Sequence, residues 1–155
     1  MKNLRTYSLC VCMLLTGMFA FSQTPESRTN QLNADKPKLF SALPDNIPVD
    51  VSSFTGILTN EVGKSVSLGV TNSLRLQGQV VSASDQSDNK IKSVVVRLVN
   101  YPGARLTFSS AKDEKGNIIY TGRIISRDHS DLYELINQDG QYSFVKKNYY
   151  DLINE

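Results

Sequence analysis

The chain has no tryptophan, one histidine and two cysteines among its 155 residues. Each scarcity removes a class of chemistry. A closed zinc site needs three or four ligands, chiefly nitrogen or sulfur, and His129 has no second histidine to join it. Cys10 and Cys12 both lie in an apolar N-terminal run and read there as small apolar residues. The G-x-S-x-G turn of a serine hydrolase is missing, and no Gly-rich phosphate loop follows a strand pattern. Hydrolase and nucleotide-binding readings therefore start without support. No internal repeat or low-complexity block is present.

The N-terminus carries an address. Lys2 and Arg5 form a positive start, Leu9 to Phe21 is largely apolar, and Ala20 and Ser22 are small residues two apart. This is the layout of a secretory signal peptide over residues 1–22, with cleavage expected between Ser22 and Gln23. The apolar run is short for a membrane span, so no stable span is expected after cleavage. The segment is similar in style to those of exported Gram-negative bacterial proteins, which implies a periplasmic or secreted location. Cleavage removes both cysteines, so the mature chain must be held by its core and not by disulfides. It also removes Lys2 and Arg5. Of 17 Lys and Arg, 15 then remain against 15 Asp and Glu, in 133 of the 155 residues. A near-neutral chain of that size suffices for one domain with a sizeable core, and it offers nucleic acid little attraction.

Residues 23–38 are polar, with Pro25 and Pro37, and read as a flexible leader to a single domain over 39–155. Leu39, Phe40 and Leu43 stand at helical spacing before Pro44, which predicts one docked helical turn. From Val51 onward, Val-, Ile-, Tyr-, Phe- and Thr-rich runs alternate with turn signals at even spacing. That pattern predicts an all-β fold, an antiparallel meander closing into a small sandwich or barrel. Face parity sets registers. A Tyr101-Pro102-Gly103 loop would place Leu98 opposite Leu106. A Glu114-Lys115-Gly116 loop would place Leu106 opposite Ile124 and Phe108 opposite Gly122. A type I′ turn at Asp139-Gly140 would set Leu135 opposite Phe144 and Tyr133 opposite Lys146, whose stem could lie along the tyrosine ring with its ammonium in water.

Candidate chemistry sits between these turns. His129, flanked by Asp128 and Asp131, falls at the tip of a hairpin that pairs Ile124 with Tyr133. It reads as an exposed turn, because a catalytic histidine needs an orienting partner and a dry pocket. Asp85 and Asp88 share an oxygen-rich loop that lacks the ligand series of an EF-hand. Arg75, Arg97, Arg105 and Arg123 alternate with core positions and should point outward on neighbouring strands, where a row of guanidinium groups suits a carboxylate or another small anionic ligand. Tyr101, at a loop tip, and the Tyr149-Tyr150 pair are candidate exposed binding anchors.

The strand runs LRLQGQVVSAS, SVVVRLVN, ARLTFSS, IIYTGRII and YELINQDGQYSFVK, spanning about residues 74–147, resemble in their spacing the β-rich pro-regions of exported metalloproteases. No cysteine-switch residue and no protease domain accompanies them, so the resemblance implies a free-standing module of propeptide-like shape. The expectation is an exported, non-catalytic binding or interaction module with no cofactor and no metal, whose partner is a protein or a small anion. The alternatives are a propeptide-like inhibitor or chaperone of a secreted protease, and a small hydrolase or metal-dependent enzyme built on His129.

Overall fold

The computed structural model of the chain describes residues 36–71, 74–85, 91–149 and 152. The expected signal segment and most of the expected leader lie outside the described residues. Eight strands form one antiparallel sheet: β1 (Asn46–Val49), β2 (Ser65–Gly69), β3 (Arg75–Asp85), β4 (Ile91–Leu98), β5 (Ala104–Lys112), β6 (Ile118–Ser126), β7 (Asp131–Gln138) and β8 (Gln141–Asn148). Their order is β1-β8-β7-β6-β5-β4-β3-β2, so β2 to β8 are a plain meander and β1 adds to its far side. The sheet curls into a half-barrel whose edges, β1 and β2, are not paired with each other. The all-β meander is therefore as expected, in a single curled sheet and not a sandwich.

The alternation of each strand explains the curl. Leu74 just before β3, Leu76 and Val80 on it, Val94, Val96 and Leu98 on β4, and Leu106 and Phe108 on β5 are all buried on the concave side, while their odd-numbered neighbours face out. Gly78 sits where β3 bends hard against β4. A Cβ there would lie 2.2 Å from the carbonyl oxygen of Arg97, so no other residue fits.

The interior is filled, not hollow. Residues Ser52–Thr55 form a short α-helix, α1, which continues as a 3-10 turn through Thr59. It links the two edge strands and drives Phe54 and Ile57 into the core. The Phe54 ring lies 5.4 Å from Phe108 and 5.9 Å from Phe144, bridging β5 and β8 across the concave face. Phe40 enters from the chain before β1, with ring centroids 5.0 Å from Tyr133 and 5.5 Å from Tyr101.

The segment before β1 is a strap. Asp131 is 2% exposed, and its carboxylate accepts the backbone N–H of Leu39 at 2.6 Å and of Phe40 at 2.8 Å. The Tyr133 hydroxyl donates to the Pro44 carbonyl, and burial first, then the Asp45 and Asp131 charges and Tyr101, push that phenol up to about 12. Lys146 donates to the Leu43 carbonyl and pairs with Asp45 at 3.1 Å. Its neighbours Tyr142 and Phe144 share its parity, so this lysine points inward at the end of the half-barrel.

Several expectations shift. Leu39–Leu43 dock without forming a helical turn: Leu43 N–H donates to the Phe40 carbonyl in an isolated turn, and the Asp131 carboxylate holds the Leu39 and Phe40 amides. The helix lies instead at Ser52–Thr59, in a stretch expected to be β, where the Asp50 carboxylate accepts the Ser52 N–H and starts the turn. Residues 36–38, assigned to the leader, are docked: Ser130 N–H donates to the Pro37 carbonyl and Lys36 reaches the Arg127 carbonyl.

The β4–β5 register places Val96, not Leu98, opposite Leu106. Asn100 is the cause. Its side chain donates to the Arg75 carbonyl and accepts from Gln77 N–H, which holds Val99 and Asn100 against β3 and lengthens the loop to five residues. The shift of two keeps every side chain on its expected face. The other registers hold: Leu106 faces Ile124 and Phe108 faces Gly122, Ile124 faces Tyr133, Leu135 faces Phe144, and Tyr133 faces Lys146. Gly116 (φ 85°), Asp139 (φ 52°) and Gly140 (φ 87°) take the left-handed conformations those turns require. The Lys146 ammonium does lie 5.9 Å from the Tyr133 ring centroid, but it is spent on the strap and not left in water.

If the strap is held as described, Asp131→Ala should cost about 2–3 kcal/mol, since it orphans one buried and one half-buried amide. Phe40→Ala should cost about 3–5 kcal/mol. The double variant should lose less than the sum in urea unfolding, because each change releases the same segment.

Candidate functional site

The outer, convex face is where the arginines stand. Arg97 on β4 is directly opposite Arg105 on β5, and Gln79 on β3 is directly opposite Arg97. Both guanidinium groups belong to exposed residues. Among the described residues neither has an ion pair. Two like charges at directly opposed positions repel, a small but real cost to the sheet. Arg123 on β6 is one diagonal step away, opposite Thr107 and Glu134. Its Nε and a terminal nitrogen both donate to Glu134 Oε1, at 2.9 and 2.6 Å. Lys147 holds the other oxygen of Glu134 at 2.8 Å. Burial pushes the Glu134 carboxyl up, but the hydrogen bonds and charges of Lys147 and Arg123 together outweigh it and hold the group below its usual range.

Beside this pair the sheet parts. The β5–β6 ladder runs nine residue pairs, whereas β6 and β7 pair over three, from Ile125–Leu132 to Arg123–Glu134. Beyond that point the Tyr120 N–H donates to the Tyr142 hydroxyl of β8 at 3.2 Å instead of to β7. The outer side of the opening is an open depression of about 520 Å³, floored by Gly122 and Leu135 and walled by Thr107, Arg123 and Glu134. It is polar at its mouth and already internally charge-paired.

The other candidates are dispersed. Arg75 faces outward at the start of β3, opposite Gly69 and four residues before Gln79, the residue that faces Arg97. Tyr101 is half-buried on the rim of the core against Phe40, and burial pushes its phenol up, so it is not the exposed anchor expected of a loop tip. Tyr149 is half-buried too. Its N–H donates to the Ser130 carbonyl and the Lys36 ammonium lies 6.0 Å from its ring centroid. Tyr150 lies outside the described residues.

His129 is half-buried, with Nδ1 2.9 Å from Ser126 Oγ, where a water-exposed tip was expected. No acid among the described residues orients it. Asp128 is exposed, and Asp131 turns inward to the strap. Among the described residues no group of three His, Cys, Asp or Glu side chains could hold a metal ion. Asp85 pairs with Lys92 at 3.2 Å, and Asp88 lies outside the described residues.

Turn preference alone conceals the true role of Asp131, but a parity signal exposes it. Asp131 shares its side of β7 with Tyr133 and Leu135, both core residues, and an inward carboxylate must find donors.

No protein-family model, curated protein or solved structure is significantly similar to the chain. The site must therefore be read from its own geometry.

Two measurements test these electrostatics. Arg97→Glu should stabilise the fold by up to about 1 kcal/mol by giving Arg105 a partner, and the gain should shrink in high salt. For Glu134, the folded carboxyl titrates below the unfolded one. Its contribution is therefore full above the unfolded value and is lost as pH falls through the folded one. The stability gap between the parent and Glu134→Gln should stay constant near neutrality and close below about pH 4.

Proposed function

We propose that the chain is an exported, non-catalytic interaction module that binds a protein partner with its exterior. The observation that carries this reading is the filled concave face. A small-ligand carrier of this architecture needs an enclosed cavity, and here Phe54, Phe108, Phe144, Phe40 and Tyr133 occupy that space. Recognition is left to surfaces. The lone histidine tied to a serine gives no support to acid–base catalysis. Export rests on the N-terminal signal pattern.

The unpaired Arg97 and Arg105 supply a positive patch that favours acidic surfaces over neutral ones and raises encounter rates more than final affinity. The reading is tested by native mass spectrometry on the protein purified gently from the envelope or culture fluid. A specific polypeptide should travel with it, and Arg97→Glu/Arg105→Glu should slow its association in a salt-dependent way. Co-purification of a small molecule of fixed mass, with no polypeptide, would overturn it. A protease as the recovered partner would make the module an inhibitor or folding aid of the propeptide kind.

A further inference from the structure

The two edges of the sheet are built differently, and the difference points to where an extended partner adds. On β1, Lys146 N–H donates to the Asp45 carbonyl and Ile47 and Val49 oppose Phe144 and Tyr142. By the antiparallel alternation, the backbone groups of Asn46 and Pro48 then face away from the sheet. Proline has no N–H to offer there, a common device for blunting an edge. On β2, Val80 N–H donates to the Lys64 carbonyl and Val70 N–H to the Leu74 carbonyl, so Lys64, Val66, Leu68 and Val70 bond to β3. The outward groups are those of Ser65, Ser67 and Gly69. All three residues are exposed, and none has a hydrogen bond to a partner strand among the described residues. No proline or inward charge protects this run.

The side chains next to the edge say what kind of strand fits. Arg75 lies directly opposite Gly69, on the outer face, with no ion pair among the described residues. Gly69 puts no side chain between Arg75 and the edge. A residue on an added strand opposite Gly69 is two strand spacings from Arg75, about 10 Å between backbones, which an arginine and a carboxylate side chain span together. Two residues back, Ser67 borders an outer depression of about 510 Å³ lined by Gln77, Gln79 and Val99. Val99, 67% exposed, lies on its far side beyond Gln77, three strand spacings from an added strand, so the near lining is Ser67 and Gln77.

Resting on the interaction-module reading above, the geometry points to β2 as a docking edge for an extended peptide that carries an acidic residue opposite Gly69. Main-chain bonds from Ser65, Ser67 and Gly69 supply attachment, and the Arg75–carboxylate pair selects the sequence.

The test uses the mature protein and the capped peptide Thr-Glu-Thr-Val-Thr-Thr, in which Glu and Val are two apart. On titration to millimolar peptide, the amide resonances of Ser65, Ser67 and Gly69 should shift and their hydrogen exchange should slow. Replacing Glu by Lys in the peptide should weaken binding roughly fivefold, and Arg75→Glu should reverse that preference. Ser67→Pro should abolish binding. Should that variant fold poorly, a peptide N-methylated at the Val that pairs with Ser67 tests the same bonds on the unaltered protein. Absence of shifts at the three edge amides, or binding indifferent to N-methylation, overturns the inference. So does a concentration-dependent dimer that Ser67→Pro dissolves, since the edge would then belong to a second copy. A natural partner that still binds Ser67→Pro would defeat the edge alone and leave the interaction-module reading standing.

Discussion

Everything at one end of the half-barrel depends on a single buried carboxylate. Asp131 has almost no contact with water, and its two oxygens are taken by the amides of Leu39 and Phe40. A buried charge of this kind is stable only while its donors stay in place. It therefore fixes the strap, and the strap brings Phe40 against Tyr133 and Tyr101. Lys146 and the Tyr133 hydroxyl grip the strap three to five residues beyond Phe40, at Leu43, Pro44 and Asp45. An open sheet of this curvature would otherwise expose the end of its core. Here the cover is made by a segment with no regular structure, held almost wholly by side chains reaching to its backbone.

Much of this was legible from residue order. Turn chemistry at Glu114-Lys115-Gly116 and Asp139-Gly140 determines loop length, and loop length determines which residues face one another, so three of the hairpins could be registered correctly. The β4–β5 hairpin could not, because its loop is set by Asn100 bonding to a third strand, β3, and no local pattern reports that. The helix at Ser52–Thr59 escaped for the opposite reason. Apart from Leu58, its residues are β-branched, aromatic, small or glycine, poor helix formers that fold so because Phe54 and Ile57 gain burial against distant strands. The outward direction of the arginines followed from parity. Their grouping did not, since neighbourhood across strands depends on the register of every intervening hairpin. Only Arg97, Arg105 and Arg123 come together, and Arg75 stands apart beside the β2 edge.

The two faces of the sheet divide the labour of the molecule. The concave face is largely spent on stability, its centre filled by Phe54, Phe108 and Phe144. The convex face carries the charge, part of it neutralised in the Arg123–Glu134–Lys147 cluster and part uncompensated at Arg97–Arg105. The charged outer residues are thereby separated in space from those that hold the fold, so they can vary without disturbing the core.

The order of the strands also dictates an order of assembly. From β2 to β8 each strand pairs with the next, so that ladder can form from short-range hairpins, which close quickly. The strap and β1 cannot take part. Their bonding partners lie on β7 and β8, about 90 to 100 residues downstream. During synthesis, the first part of this domain to emerge is thus the last to find its place. Until the final hairpin closes, Phe40 and the Asp131 carboxylate both remain unsatisfied, and the chain is most vulnerable to proteolysis and misassociation in that interval.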